Sequence, residues 1–116
     1  MNVDVAIHDL LNFSTDIRAV AVIGEAGEVV AAAPGPGAAD LSGAAAALWQ
    51  AAEAAVSDRD AEPLEHVVVQ DKDGVVAMLH DGMHRIVAVT GPKPALGLLL
   101  FDLRTCLGDA YPEEAS

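Results

Sequence analysis

The sequence is poor in cysteine, in aromatic residues and in cations. It holds one Cys, one Trp, one Tyr and two Phe, and six Lys plus Arg among 116 residues. Cys106 has no partner for an internal disulfide, and its place beside Leu103 and Leu107 predicts a small core residue in a reducing compartment rather than a nucleophile. So few aromatics leave the core to Val, Leu, Ile and Ala, packed closely. Against eighteen Asp plus Glu the formal net charge is -12. Without a basic patch to neutralise phosphates, nucleic acid and anionic membrane surfaces are excluded as partners. No apolar run approaches the ~18 residues of a membrane span, and "MNVDVAIHDLLNF" carries acids where a signal peptide carries positive charge. A cytoplasmic protein with no membrane insertion is expected. Nucleotide fingerprints are missing too, because "GEAGEVV" leads into a strand and "PGPG" lacks the Lys and Ser/Thr of a phosphate loop. No cofactor is expected.

What remains is a chain that is 53% hydrophobic and of single-domain length. Val3, Ile7, Leu10 and Leu11 recur at helical spacing and predict a short helix over 4–12. Two β-branched runs, 17–23 and 28–33, flank "GEAG", where Gly24 and Gly27 permit the positive φ of a tight turn. A helix follows over 40–57. Strands are predicted over 64–70, 75–80 and 84–90, joined by "DKDG" and "DGM" as antiparallel hairpins. Pro94 opens a last helix running to about 107, and an acidic, frayed tail is expected over 108–116. The order α-β-β-α-β-β-β-α gives an α/β (α+β) domain spanning 1–116, with its core over about 10–107.

The hairpins also set the faces of the sheet. With Gln70 opposite Val75 and a three-residue "DGM" loop, Val67, Val69, Val76, Met78, Ile86 and Ala88 line one face. Val68, Val75, Ala77, Leu79, Val87 and Val89 line the other. Both faces are apolar, so helices must cover both. The expected architecture is a three-layer α/β/α sandwich around a five-stranded antiparallel sheet.

The middle helix contains "AAALWQAAEAAV". At 100° per residue, Leu41, Ala45, Leu48, Ala52 and Val56 form the stripe that faces the sheet, and Trp49 lies about 60° from its centre. Gly43, Ala46, Ala47, Gln50, Glu53 and Ala54 occupy the opposite side. A solvated face would normally carry several charges, whereas this one carries a single Glu among small groups that let another backbone approach. It is read as a protein contact, with Trp49 as a border residue available to a neighbouring chain.

Catalytic chemistry is sparse. In the three-residue loop His80 and His84 oppose each other and could share a metal ion, but His66 points to the other face and Asp81 lies in the turn, so no metal ligand is assigned. No Ser/His/Asp or Cys/His arrangement stands out, and no catalytic residue is assigned. Arg18, Arg59, Arg85 and Arg104 are the candidates for an arginine finger, with nothing to separate them.

The element order, "AVAVIGEAGEVVAAA", "ALWQAAE", "LEHVVVQDKDGVVAMLHDGMHRIVAV" and "PALGLLLFDLR" together resemble the Roadblock family over residues 10–107. That family comprises dynein light chain Roadblock proteins and bacterial MglB-type regulators of Ras-like GTPases. The resemblance implies a homodimer whose sheets join edge to edge, here through strand 64–70 with Val67 and Val69, while two middle helices lie side by side. It also implies a Ras-like small GTPase as partner, and a regulator or scaffold rather than an enzyme. The first helix looks shorter than is usual in the family. A small-molecule sensor domain, or a metal-dependent enzyme built on His80 and His84, are the competing readings.

Overall fold

Short turns between strongly β-branched runs leave consecutive strands no choice but to pair with their neighbours. In the computed structural model, which describes residues 2–35, 40–56, 65–81 and 83–112, the strands are β1 (Ile17–Ile23), β2 (Val29–Ala33), β3 (His66–Gln70), β4 (Val75–His80) and β5 (Arg85–Thr90). The helices are α1 (Val3–Phe13), α2 (Leu41–Val56) and α3 (Leu96–Ala110). Among the described residues the five strands form one antiparallel sheet in the order β2-β1-β5-β4-β3. The chain leaves one edge at β2, crosses with α2, and returns at the opposite edge as β3.

Two apolar clusters hold the layers together. On one face α1 and α3 bury Ile7, Leu10, Leu99, Leu103, Cys106 and Leu107 against Val20, Val22, Val75, Ala77, Leu79, Ile86 and Ala88. On the other, α2 places Ala45 and Trp49 on Ala21, Ile23, Met78 and Val87. The expected element order and three-layer sandwich are therefore present.

Local departures have local causes. Helix α1 starts one residue early because the Asn2 side chain accepts the Val5 N–H at 2.9 Å. In the β1–β2 turn Gly27 takes φ +87°, while Gly24 does not have positive φ. Helix α3 continues to Ala110 rather than ending near 107, and the Tyr111 ring stacks on His84 with centroids 3.7 Å apart. The frayed tail expected from 108 thus begins as helix. Its end over 113–116, together with Ser57 and Leu64 at the predicted ends of α2 and β3, lies outside the described residues.

The β4–β5 register corrects the sequence reading. Gln70 pairs with Val75 as expected, but His80 pairs with Arg85, not His84. A shift of one residue turns the whole strand over. Val87 therefore shares a face with Val67, Val76 and Met78, and Ile86 and Ala88 join Ala77 and Leu79. The reason is a turn used twice. Asp71 accepts the N–H groups of Asp73 (2.7 Å) and Gly74 (3.0 Å) on one carboxylate oxygen and donates its own N–H to the Gly74 carbonyl. Asp81, ten positions on, accepts from Met83 (3.3 Å) and His84 (3.0 Å) and donates to the His84 carbonyl. Both connections are therefore four residues long, with an aspartate closing each from its first position. Replacing that carboxylate with a methyl group, Asp81→Ala, should lower stability by about 1 kcal/mol in urea unfolding, while Asp81→Asn should stay near wild type.

Candidate functional site

Helix α2 is anchored at very few points. Of its described side chains only Ala45 and Trp49 are buried, and Leu41, Ser42, Ala46, Leu48 and Ala52 are half-buried. Its only charged residue is Glu53. The other described side chains are exposed and mostly alanine, with Gly43, Ala47, Gln50 and Ala54 along the outer side.

Trp49 is not the border residue that the sequence led us to expect. It is 1% exposed and is the largest fully buried side chain. The apolar row that seats α2 is Leu41, Ala45, Trp49, at spacings of four, so the helix is rotated toward the tryptophan. Small neighbours, Ala21 beneath and Ala45 beside it, leave room for the indole. His80 meets the ring edge-on at 5.3 Å and the Arg85 guanidinium carbon lies 5.1 Å from its centroid. These two residues face each other across β4 and β5, so the cross-strand pair that replaced the predicted histidine pair clamps the indole through edge and cation–π contacts. His84, on the opposite face, stacks on Tyr111 instead. The two histidines are thus directed away from a shared ion, and among the described residues no group of three or more His, Cys, Asp or Glu side chains could hold a metal.

Beside α2 runs the edge of the sheet. Asp71 N–H donates to Gly74 O and His80 N–H to Glu65 O, 3.0 and 2.9 Å. Antiparallel pairs alternate, so the odd-numbered residues bond to β4 and the backbone groups of His66, Val68 and Gln70 point outward. Strand β3, HVVVQ, carries no Lys, Asp, Glu or Pro to discourage pairing. Between this edge and α2 lies an apolar cleft of about 190 Å³, lined by Leu41, Ala44, Leu48, Val69, Val76 and Val87 among others. Val69 is 45% exposed there, and Val67 packs half-buried against the α2 cluster.

The cleft fixes which flank of α2 looks toward β3. Ala44 and Leu48 line it, and a rotation of 100° per residue continues that row through Ala51 and Ala55. Of the residues singled out from sequence, Ala46 and Glu53 fall on the flank away from β3. Gly43, Ala47, Gln50 and Ala54 lie on the outer side. The sequence pattern located a small-residue face, but the row beside the open edge was missed. Among the arginines, Arg85 is engaged by Trp49, Arg18 lines the surface near Asp71 and Asp73, Arg104 is exposed on α3, and Arg59 lies outside the described residues.

Two measurements check this placement. Trp49→Ala should destabilise the protein by roughly 3–5 kcal/mol in urea unfolding, as loss of a buried aromatic does; a near-neutral change would mean that the indole does not pin α2. Burial first, then Asp109 and Asp9, push the Cys106 thiol from 9.0 up to about 12. The native protein should therefore resist a thiol reagent at neutral pH and react once unfolded. Because the folded pKa is the higher one, this contribution to stability is complete below the ordinary thiol value and is lost as pH rises through about 12.

Comparison with known proteins agrees with this architecture. No curated protein matches the chain by sequence. A Roadblock/LC7 domain from Streptomyces avermitilis superposes with a TM-score of 0.85 at 14% identity, covering 100% of both chains. Myxococcus xanthus MglB gives 0.79 at 12% identity over 98% of this chain and 96% of its own. An MglB with a tetrameric arrangement gives 0.79 at 19% identity over 98% and 90%. At such identities the likeness establishes the fold. Among the described residues no helix is long and apolar enough to cross a membrane. The Roadblock/LC7 domain model matches residues 4–90, from within α1 to the end of β5, and the chain belongs to the Roadblock/LC7 domain family.

Proposed function

We propose that the protein is a homodimeric interaction module of the cytoplasm that binds a Ras-like small GTPase and regulates its nucleotide cycle, contributing no catalytic residue of its own. The observation that carries this reading is that α2, nearly uncharged and seated by Ala45 and Trp49, lies beside an open, uncharged strand edge. Two copies join β3 to β3 through the outward groups of His66, Val68 and Gln70. Their α2 helices then meet over the clefts at Val69 and Val76, through Ala44, Leu48, Ala51 and Ala55. Side chains this small allow close helix approach. The outer sides of both helices, with Gly43, Ala47, Gln50 and Ala54, form one continuous platform. Trp49 supports that platform from below.

A GTPase docked on such a platform is sensed through its switch loops, which the γ-phosphate orders. Regulation then comes from positioning those loops. The family match and the self-associating MglB among the structural neighbours support the reading.

Sedimentation velocity tests it, with the protein alone and mixed with Ras-like GTPases from the same genome, each loaded with GDP or a non-hydrolysable GTP analogue. The expected result is a dimer that joins one GTPase in its GTP form only. Ala51→Glu should return the protein to monomers, whereas Ala47→Glu should keep the dimer and lose the GTPase. A wild-type monomer, or a dimer that joins no GTPase in either state, would overturn the proposal.

A further inference from the structure

The chain has two phenylalanines, and both are on the surface of the layer opposite α2. Phe13, at the end of α1, is 87% exposed, and Phe101 on α3 is 64% exposed, with Leu98 one turn before it at 61%. A protein so short of aromatics that leaves both rings in water has unpartnered apolar surface at the end of α1 and on α3, in the layer that already closes its main core.

Phe13 and Leu98 border a groove. Helices α1 and α3 run antiparallel, so the end of α1 meets the start of α3: Ser14 and Asp16 share a depression with Pro94, Leu98 and Asp102. From Asp102 the groove continues as a cavity of about 270 Å³ floored by Ala6, Leu10 and Cys106 and flanked by Phe13. Its rims carry Asp9 on α1 and Asp102 and Asp109 on α3, and none of its lining residues is a Lys or Arg. Asp109 and Asp9 both act on the Cys106 thiol at the floor, so the negative potential reaches the bottom of the groove. From Leu98 to Asp109 the helix rise gives a length of about 16 Å, three turns of helix.

We propose that this groove receives a basic amphipathic helix of about three turns from a partner protein. Its apolar face packs on Phe13, Leu98 and Phe101, and its Lys or Arg residues pair with Asp9, Asp102 and Asp109, a helix-in-groove mode of recognition. Charge complementarity selects this occupant: a second copy of this acidic chain would bring like charge to the rims, and an anionic lipid surface would be repelled. The site lies on the opposite side of the sheet from α2, so the protein would hold this helix and its α2 partner at once.

The test uses a fluorescent Leu/Lys helical peptide of about 14 residues, titrated with the full chain at about 150 mM salt. Saturable binding is expected. It should weaken about tenfold with Phe13→Ser plus Phe101→Ser, and about tenfold with Asp9→Lys plus Asp102→Lys. Glu25→Lys plus Asp73→Lys, an equal charge change in the strand turns, should alter it less than about threefold, and a scrambled peptide without an apolar face should bind about tenfold more weakly. Circular dichroism confirms that each variant is folded. Ala51→Glu should leave the affinity unchanged, which separates this groove from the α2 surface. Equal weakening by both charge-reversed pairs, or undiminished saturable binding of the scrambled peptide, would overturn the proposal. So would a change in the protein's own sedimentation on Phe101→Ser alone, which would mean that a second copy covers the patch.

Discussion

One indole holds the thin side of this sandwich in place. Helix α2 crosses from one edge of the sheet to the other, yet the side chains that it commits to the interior are Ala45 and Trp49. Alanine contributes little burial, so the adhesion of the helix is concentrated in Trp49 and its surround of Ile23, Met78, Val87, His80 and Arg85. Everything presented on that side follows from it: the direction of the helix, the flank it turns toward β3 and the cleft left between them.

The two faces of the sheet are built to different standards. Under α1 and α3 the sheet offers Val20, Val22, Leu79 and Ile86 to long Leu and Ile side chains, a thick core. Under α2 the central positions are small, Ala21 beside Ala32, and the outer ones, Val67 and Val69, are only partly covered. Most of the buried apolar surface therefore lies on one side, and partly covered apolar surface on the other. The exceptions on the more buried side, Phe13, Leu98 and Phe101, stand outside that core altogether.

Much of this was legible in the sequence, and what was not has physical reasons. Periodicity identified every element, because β-branched runs and Leu stripes of such regularity have few alternatives. The β5 faces were reversed because "DGM" reads as a complete loop, although Asp81 repeats the part played by Asp71 and comparison of the two turns would have set the length. Trp49 was placed at a border because an alanine-rich helix has no strong apolar side; the largest side chain then decides the rotation, and Leu41, Ala45, Trp49 is the row that records it. Which small residues face β3 depends on where the helix lies across the sheet, a fact of tertiary packing with no trace in one-dimensional spacing. The stacking of Tyr111 on His84 was likewise invisible, since it joins a turn to a helix end more than twenty residues away.

The uncharged edge of β3 matters wherever other extended segments are near. An edge such as HVVVQ, free of charge and proline, is a template for any other extended segment, including those of unfolded neighbours on the ribosome. The remedy is not on the strand but distributed over the molecule, in a formal net charge of -12. Two such chains repel each other, and a chance contact along the edge of β3 must first overcome that repulsion. Acidity thus opposes the loose and misregistered edge contacts from which aggregates grow.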